Sequence, residues 1–385
     1  MRYCLKCVYP EIAVNSIFDD NGICSGCRSE EEFDAISEES WKEREKKFVS
    51  ILEERNKRKQ SNYDCVIPVS GGKDSYWQVH LVKEVYGFNP LLVTYHGNNF
   101  SPEGQENLLR MRDVFNVDHL IFGAGVETLI KLNRLGFKTL GDMNWHNHAG
   151  IFTYPMNIAV KFKIPTVVWG ETSWDIAGMF SPDDYVRYNK RVIIEHNLRG
   201  YTWKDFVDKE GLEEKDMIWL KMPSDEEFVE AGTEGIYSGN FFHWEPYKQV
   251  EFIKEKYNWE ESRLPFERTY RTISNLDDMH ENGIHDYMKY IKFGYGRATD
   301  HASKDIRLGS KYMNMTRRKA IEMVKKYDHV KPRRDLERWL EYVDMTEEEF
   351  DNIADTFRDP RVWSKDPNGN WIKDNIWDFE IREGR

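Results

Sequence analysis

The chain has 385 residues with 55 Lys and Arg against 67 Asp and Glu, a formal net charge of −12. This length can hold two or three domains, and 40% hydrophobic with 14% aromatic residues predicts a folded protein rather than a disordered one. The negative charge argues against a general nucleic-acid-binding protein, although a local basic groove is not excluded. We find no membrane-length apolar run and no secretory signal in MRYCLKCVYP, so we expect a soluble, cytoplasmic protein.

Two Cys-x2-Cys pairs near the N-terminus predict a metal site. Cys4 and Cys7 form one pair, Cys24 and Cys27 the other, with 16 residues between them. This spacing is typical of four-thiolate zinc sites, in which two tight knuckles close a tetrahedron around one ion. Four unligated thiols or redox-active pairs are the alternative. A four-thiolate site has no open position for catalysis, so we predict a structural zinc ribbon over residues 1–36.

The middle of the chain alternates between strand-like and helix-like segments. Residues 37–62 predict a charged connecting helix that packs through one apolar face. We then predict strands at 64–69, 90–95, 118–122 and 165–169, and helices at 76–85, 101–115, 126–135 and 149–163. This alternation predicts an α/β fold with a doubly wound, mostly parallel sheet over residues 63–240. Ligands of such sheets bind beyond the carboxyl ends of the strands.

We predict fewer strands in the remainder of the chain. Residues 218–222 (IWLKM) are a candidate further strand, and an amphipathic helix begins at 245. The rest is mainly helical to about residue 357, with an interruption at 293–305, and a polar loop follows from 358. We assign residues 241–385 to a mainly helical region for substrate or partner binding.

The motif SGGKDS at residues 70–75 follows the first strand and opens the next helix. Such a turn presents backbone N–H groups to an anion, and Gly71 and Gly72 allow a phosphate to come close. The two serines can donate hydrogen bonds, Lys73 supplies a positive charge, and Asp74 can hold a magnesium ion. An ordinary strand-to-helix turn is the alternative, but the complete motif favours nucleotide binding.

SGGKDS resembles the signature of the ATP pyrophosphatase (PP-loop) superfamily, whose members adenylylate a carbonyl-type oxygen, release pyrophosphate and let a nucleophile displace AMP. The resemblance implies that Lys73, Asp74 and Glu171 are catalytic, with Asp74 and Glu171 sharing Mg²⁺. It also implies that the motif holds the β- and γ-phosphates and that Tyr95 and His96 lie near the adenine. The implied ATP-binding residues are Ser70, Gly71, Gly72, Lys73, Asp74, Ser75, Tyr95, His96 and Gly170.

Four further stretches extend the resemblance over about residues 4–330: the ribbon, WHNHAGIFTYPMNIAVKFKIPTVVWGE, WEPYKQVEFIKEKY and KFGYGRATDHASKDIR. Together they resemble the N-acetyl sugar amidotransferases of bacterial surface-polysaccharide (lipopolysaccharide, O-antigen) and flagellar-glycan pathways. The resemblance implies an ATP-dependent amidotransferase that adenylylates the acetamido oxygen of an N-acetyl sugar, and we expect this sugar to be nucleotide-activated. Attack by ammonia then gives an acetamidino sugar with loss of AMP.

The chain lacks the residues of the common ammonia-producing active sites. Position 2 is Arg, not the Cys of an N-terminal nucleophile enzyme. Cys65 is the only cysteine outside the ribbon, and its apolar strand predicts a core position rather than a nucleophile. We therefore expect a separate glutaminase subunit of the imidazole-glycerol-phosphate-synthase type, which the resemblance also implies.

Five further residues are candidates for substrate binding. His146 and His148 in NWHNHAG are candidate bases, metal ligands or substrate contacts, or they cap the following helix. Arg297, Asp300 and His301 in GYGRATDH suit a flexible turn that orients an anionic substrate, or a salt-bridged interdomain corner. We assign all five to the substrate site.

Two other functions compete with the amidotransferase. A tRNA thiolation enzyme also combines a zinc ribbon with SGGKDS, but it commonly needs a further cysteine or an iron–sulfur cluster and a basic groove. The chain has no cysteine after Cys65 and is acidic, which disfavours this alternative. An ATP sensor without chemistry is disfavoured by the pair Asp74 and Glu171.

Overall fold

The computed structural model describes residues 1–170, 185, 187–274, 276–309 and 314–378. Its centre is a five-stranded sheet in the order β3-β2-β1-β4-β5, with every neighbouring pair parallel. The strands are β1 (Cys65–Pro68), β2 (Pro90–His96), β3 (His119–Gly123), β4 (Thr166–Trp169) and β5 (Glu234–Tyr237). The predicted parallel α/β sheet is confirmed, and each of the four strands expected before residue 170 is present.

Helices surround this sheet and form most of the C-terminal region. They are α1 (Ser25–Asp34), α2 (Glu38–Asn56), α3 (Lys73–Val79), α4 (Pro102–Phe115), α5 (Val126–Leu140), α6 (Trp145–Lys161), α7 (Lys190–Val192), α8 (Asp225–Ala231), α9 (Pro246–Tyr257), α10 (Asn282–Phe293), α11 (Arg297–Leu308), α12 (Arg317–Tyr327), α13 (Arg333–Val343) and α14 (Glu347–Asp355). A π-helical segment, His80–Val85, continues α3. A short hairpin of β6 (Ser364–Lys365) and β7 (Trp371–Ile372) lies in the predicted C-terminal loop. None of the described helices is long and apolar enough to span a membrane.

The central strand β1 is buried on both faces of the sheet. Cys65 and Ile67 belong to the core that also contains residues of α2, α3, α4 and α9, whereas Val66 packs on the opposite side with Met156 and Ala159 of α6. Burial on both faces explains why this strand is a continuous apolar run rather than an alternating one. The predicted core position of Cys65 is confirmed by its full burial.

The order of the strands creates a crevice at the end of β1. The chain passes from β1 to β2 on one side, and later returns to place β4 on the other side of β1. The crossovers from β1 and from β4 therefore diverge at the carboxyl ends of these strands, which is where doubly wound sheets bind ligands. SGGKDS begins two residues after β1 and so lies at this point.

Two predicted elements are wrong. Residues 218–222, expected to be a strand, fall mostly in the 3₁₀ helix Glu214–Leu220, and the fifth strand is Glu234–Tyr237. Ile218 is exposed while Trp219 stacks on Tyr95, so this segment covers the end of the sheet instead of joining it. The interruption expected at 293–305 is confined to a short turn, because α11 already begins at Arg297.

The four ribbon cysteines are fully buried and converge. The Sγ atoms of Cys4 and Cys27 are 4.0 Å apart and those of Cys7 and Cys24 are 3.7 Å apart. Tetrahedral zinc with Zn–S bonds of about 2.3 Å requires sulfurs about 3.8 Å apart, so the set fits one zinc ion. The guanidinium of Arg307 on α11 lies 3.6 Å from the Sγ of Cys24, where it offsets the negative charge of four thiolates.

Candidate active site

The SGGKDS loop has a left-handed backbone at its first glycine, a conformation that favours glycine. Gly71 has a φ of +76°, in the left-handed region. A Cβ atom at Gly71 would lie 2.6 Å from the backbone N of Leu108 on α4, closer than non-bonded atoms approach. The first glycine of the motif therefore serves both a left-handed turn and a close contact with a neighbouring helix.

A hydrogen bond within the motif connects its first and last residues. The backbone N–H of Ser70 donates to Oγ of Ser75 over 3.0 Å, which closes the loop across the start of α3. Lys73 and Asp74 form an ion pair, and Lys73 is only 9% exposed. The loop thus places a lysine and a carboxylate together at the N-terminal end of a helix, where an anion is favoured.

Two tryptophans from the C-terminal region hold this loop. The indole N–H of Trp259 donates to the backbone carbonyl of Gly71 over 3.0 Å, and that of Trp244 donates to Oδ1 of Asp74 over 3.0 Å. Trp259 is buried and follows α9 directly. The sequence analysis did not assign either tryptophan to the site, because indole donors carry no motif of their own.

A cavity of about 340 Å³ opens beside the loop. Its polar walls come from three parts of the chain: the motif and the ends of β1 and β2, the start of α6, and the segment around α10 and α11. The residues that form these walls include Ser70, Ser75, Tyr95, Asn99, Asn144, Asn147, His148, Asp277, Asp278, His285 and Arg297. Residues far apart in sequence therefore meet at the carboxyl ends of the strands.

The residues predicted at the strand ends lie in different environments. Tyr95 lines the cavity, whereas Nε2 of His96 is engaged with Oε1 of Gln105 at 2.7 Å. The carbonyl of Gly170 accepts a hydrogen bond from the hydroxyl of Ser238 over 3.1 Å, directly after β4. Glu171 lies outside the described residues, so its predicted share in a magnesium site stays a prediction.

The two histidines of NWHNHAG have separate environments on α6. His146 is fully buried, with Nδ1 3.2 Å from the Tyr95 hydroxyl and Nε2 2.8 Å from the Asn133 amide. Burial lowers the pKa of His146 to about 3, so this ring is a neutral interior group. His148 lines the cavity instead. The structure therefore brings His148 to the cavity and keeps His146 in the interior.

The three residues of GYGRATDH also separate, and the flexible turn predicted for them is wrong because they lie on α11. Arg297 lines the cavity and its Nε donates to Oδ1 of Asp286 over 2.8 Å. Asp300 is buried in an ion pair with Lys289. His301 is buried, and its Nδ1 lies 2.6 Å from the hydroxyl of Thr269. One of the three therefore reaches the cavity, and the other two stabilise the helix that presents it.

Acidic residues before α10 form a part of the site that the sequence analysis missed. Burial raises the pKa of Asp277, and the neighbouring charge of Asp74 adds to this effect, while the Ser70 hydroxyl opposes it. Burial and the adjacent Glu281 raise the pKa of Asp278 well above its usual range. The stretch NLDDMHENGIHD is dense in acids, but only the folded chain brings it against the SGGKDS loop.

Glu281 extends this acidic group into the interior. Its side chain is fully buried and accepts a hydrogen bond from the Asn99 amide over 2.8 Å. Asn99 itself lines the cavity, and the Asn144 amide donates to Oδ2 of Asp278 over 3.3 Å. The cavity thus combines amide donors with carboxyl groups that burial biases towards the protonated form, an arrangement suited to proton transfer.

Residues 245–377 match the family model described as "LPS biosynthesis protein WbpG-like, C-terminal domain". The match covers about a third of the chain, and we call this segment, residues 245–377, the WbpG-like domain. This match confirms, for that part of the chain, the predicted resemblance to a family of surface-polysaccharide biosynthesis. The WbpG-like domain supplies Asp277, Asp278, His285 and Arg297 to the cavity, and Trp259 to the loop.

A curated relative matches part of this chain. The chain is 29% identical over 129 residues to the uncharacterised protein MJ1599 of Methanocaldococcus jannaschii. The aligned part is 33% of this chain and 45% of that relative, so the chain spans less than half of its length.

Three solved structures are similar at low identity. NMN synthetase of Francisella tularensis is 16% identical with a TM-score of 0.29, over 59% of this chain and 98% of that one. NH3-dependent NAD synthetase of Campylobacter jejuni is 16% identical with a TM-score of 0.29, over 48% and 98%. The U34-tRNA thiolase NcsA of Methanococcus maripaludis is 14% identical with a TM-score of 0.30, over 81% and 90%. Similarity this low identifies neither a reaction nor a substrate.

Proposed function

We propose that this protein is an ATP-dependent amidotransferase of surface-polysaccharide biosynthesis. It converts the acetamido group of an N-acetyl sugar into an acetamidino group and releases AMP and pyrophosphate. The observation that carries this proposal is the shared cavity, which is lined both by Ser70 and Ser75 of the SGGKDS loop and by residues of the WbpG-like domain. A phosphate-binding motif and a domain of a polysaccharide-biosynthesis family thus face the same space.

The residues around the loop suit ATP and its metal. The N-terminal end of α3, the two motif serines and Lys73 offer donors and positive charge to a pyrophosphate group. Asp74 and Asp277 lie close enough for their charges to interact, and such carboxylate oxygens are the ligands that Mg²⁺ prefers. A bound Mg²⁺ supplies charge neutralisation to the departing pyrophosphate.

The chemistry follows from the poor leaving ability of an amide oxygen. The acetamido oxygen attacks the α-phosphorus of ATP, and the bond from that phosphorus to the bridging oxygen of pyrophosphate breaks. Ammonia then adds to the activated carbon, and the carbon–oxygen bond breaks so that AMP leaves with the original acetamido oxygen. The nitrogen loses a proton in this step, and Asp278 lines the cavity, where its raised pKa makes its deprotonated form a stronger base for that proton.

The proposal includes a separate glutaminase subunit as the source of ammonia. All five cysteines of the chain are buried: four converge in the ribbon and Cys65 lies inside β1. Burial raises the pKa of the Cys65 thiol above its usual range, which disfavours the nucleophilic thiolate that glutamine hydrolysis requires.

The test is an assay of AMP and pyrophosphate with purified protein, ATP, Mg²⁺, ammonium chloride and a panel of nucleotide-activated N-acetyl sugars. We expect sugar-dependent AMP and a sugar product in which NH replaces O, identified by mass spectrometry. Lys73→Ala should abolish both. Lys83→Ala, on the π-helical continuation of α3, is the matched control and should remain active.

Two results would overturn the proposal. One is the absence of AMP with every N-acetyl sugar while ammonium and ATP are saturating and the protein binds ATP. The other is AMP formation that depends on tRNA and a sulfur donor, which would identify a thiolation enzyme instead.

A further inference from the structure

A second group of metal-ligand side chains lies outside the ribbon, at the cavity. Asp142 in the turn before α6, His148 on α6 and His285 on α10 place one donor atom each within 4.8 Å of one another. They come from three separate segments, and only the tertiary fold brings them together. His148 and His285 both line the cavity beside the SGGKDS loop, while Asp142 lies behind them and is buried.

The spacing of these donor atoms suits direct coordination. Oδ1 of Asp142 is 3.5 Å from Nε2 of His285, and Oδ2 of Asp142 is 3.9 Å from Nδ1 of His148. Donors at about 2.1 Å from one tetrahedral ion lie about 3.4 Å apart. The separations exceed ordinary hydrogen bonds, so the two rings face the carboxylate without being bonded to it.

The groups behind the three donors resemble the outer shell of a metal site. Nδ1 of His285, on the far side of the ring from Asp142, lies 3.9 Å from Oδ1 of Asp286. Oδ2 of Asp286 is buried and lacks a hydrogen-bond partner within the described part of the chain, so Asp286 can accept a further N–H. Metal-bound histidines usually donate their second ring N–H to such a carboxylate.

Neighbouring groups also hold the carboxylate of Asp142 in place. The backbone N–H of Asn144 donates to Oδ1 of Asp142 over 3.1 Å, and Arg199 pairs with Oδ2 at 3.0 Å. A carboxylate has about four lone-pair sites, so these contacts leave room for a metal bond. Arg199 is part-exposed, whereas Asp142 is not, so the arginine approaches from the outer side.

We infer that Asp142, His148 and His285 bind a divalent transition-metal cation at the wall of the cavity. Two imidazoles and one carboxylate favour Zn²⁺, Mn²⁺, Fe²⁺ or Co²⁺ over Mg²⁺, which prefers oxygen ligands. Three protein ligands leave at least one coordination position open, and that position faces the space that a ligand occupies. There the cation polarises an oxygen of the bound substrate. The site differs from the closed ribbon site and does not depend on the proposed reaction.

The test is a titration of the full-length, zinc-loaded protein with Co²⁺, followed by its d–d absorption and by elemental analysis. We expect one cobalt per chain in addition to the ribbon zinc. His148→Ala and His285→Ala should each weaken cobalt binding by at least about tenfold, since loss of even an outer partner costs 10–100-fold. His329→Ala, an exposed histidine on another segment, is the matched control and should bind as the unmodified protein does.

X-ray absorption of the bound cobalt provides a readout that needs no variant. Nitrogen and oxygen neighbours without sulfur would support the site. A sulfur shell, which means that cobalt entered the ribbon, would overturn it. Failure of the unmodified protein to bind cobalt would also overturn it, as would equal affinity in the two histidine variants; Asp142 would then be only the partner of Arg199.

Discussion

At the scale of single residues, Gly71 and Gly87 form an informative pair. Both have left-handed backbones, with φ values of +76° and +71°. A Cβ at Gly71 would meet the backbone of Leu108, whereas a Cβ at Gly87 would meet nothing within 4 Å among the described residues. Alanine would therefore strain the backbone at both positions, and at position 71 it would also clash with Leu108.

This difference leads to a prediction for alanine substitution. Gly71→Ala and Gly87→Ala should each lower the free energy of unfolding by about 1–2 kcal/mol through backbone strain. Gly71→Ala should also displace the loop from α4 and reduce sugar-dependent AMP formation by at least about tenfold, which corresponds to ~1.4 kcal/mol. Denaturant unfolding and the AMP assay measure the two effects. Equal activities of the two folded variants would contradict the assigned role of the loop.

His119 on β3 makes the stability depend on pH. Burial, with a smaller contribution from the charge of Arg112, lowers the pKa of His119 to about 4, and Nε2 lies 2.9 Å from the Thr94 hydroxyl. The unfolded chain, in which a histidine has a pKa of about 6.5, binds the proton more tightly. The contribution of His119 is therefore complete above about pH 6.5 and is lost as the pH falls towards 4.

We expect His119→Gln to flatten the loss of unfolding free energy between about pH 6.5 and 4. Denaturant unfolding at several pH values measures this, and His329→Gln should follow the unmodified protein. A slope that His119→Gln leaves unchanged in this interval would show that the histidine is not protonated on unfolding.

The residues of the candidate site differ in how far the sequence predicts them. SGGKDS is predictable because a strand, a turn and a helix start are local features. Asp277 and Asp278 are not, since nothing near them in sequence shows that they approach the loop. His146 and His148 are two positions apart, and only the packing of α6 decides that one is interior and the other lines the cavity.

At the scale of elements, α9 and the residues after it support the loop. Trp259 is buried and donates to the carbonyl of Gly71. Trp363 is also buried, but its indole N–H has no hydrogen-bond partner in the described ranges. Phenylalanine at either position keeps an aromatic ring, and at position 259 it removes the donor that fixes the loop.

Trp259→Phe should therefore weaken ATP binding by roughly two- to tenfold, the equivalent of one hydrogen bond of about 0.5–1.5 kcal/mol. Trp363→Phe should bind ATP as the unmodified protein does. Isothermal titration calorimetry with ATP and Mg²⁺ measures both. If the two variants bind ATP equally well, the WbpG-like domain does not position the loop through this bond.

Element boundaries were predictable where a cap marks them. The Ser101-Pro102 signal placed the start of α4 correctly, and the Ser101 side chain accepts from the N–H of Gly104 over 3.1 Å. The prediction of a strand at 218–222 was wrong, because a short apolar segment that covers the sheet has the same composition as a strand. The glycines before Arg297 led to the prediction of a long interruption, but they only end α10 and precede α11.

At the scale of the whole molecule, the ribbon, the sheet and the C-terminal helices form one continuous structure. Arg307 contacts the ribbon thiolates, and Nε of Arg317 donates to the carbonyl of Cys7 over 3.1 Å. The same C-terminal region supplies Trp259 to the loop. The parallel sheet follows from the alternation of elements in sequence, but the cavity depends on contacts between segments that lie more than a hundred residues apart.

An isotope-labelling experiment that follows the acetamido oxygen decides whether ATP activates this oxygen. An N-acetyl sugar that the enzyme accepts is labelled with heavy oxygen in its acetamido carbonyl and is converted with ATP and ammonium. Adenylylation of that oxygen predicts that the label appears in the phosphate of AMP and that the amidine product carries none. Unlabelled AMP formed together with the product would contradict the account, because ATP would then not activate the acetamido oxygen.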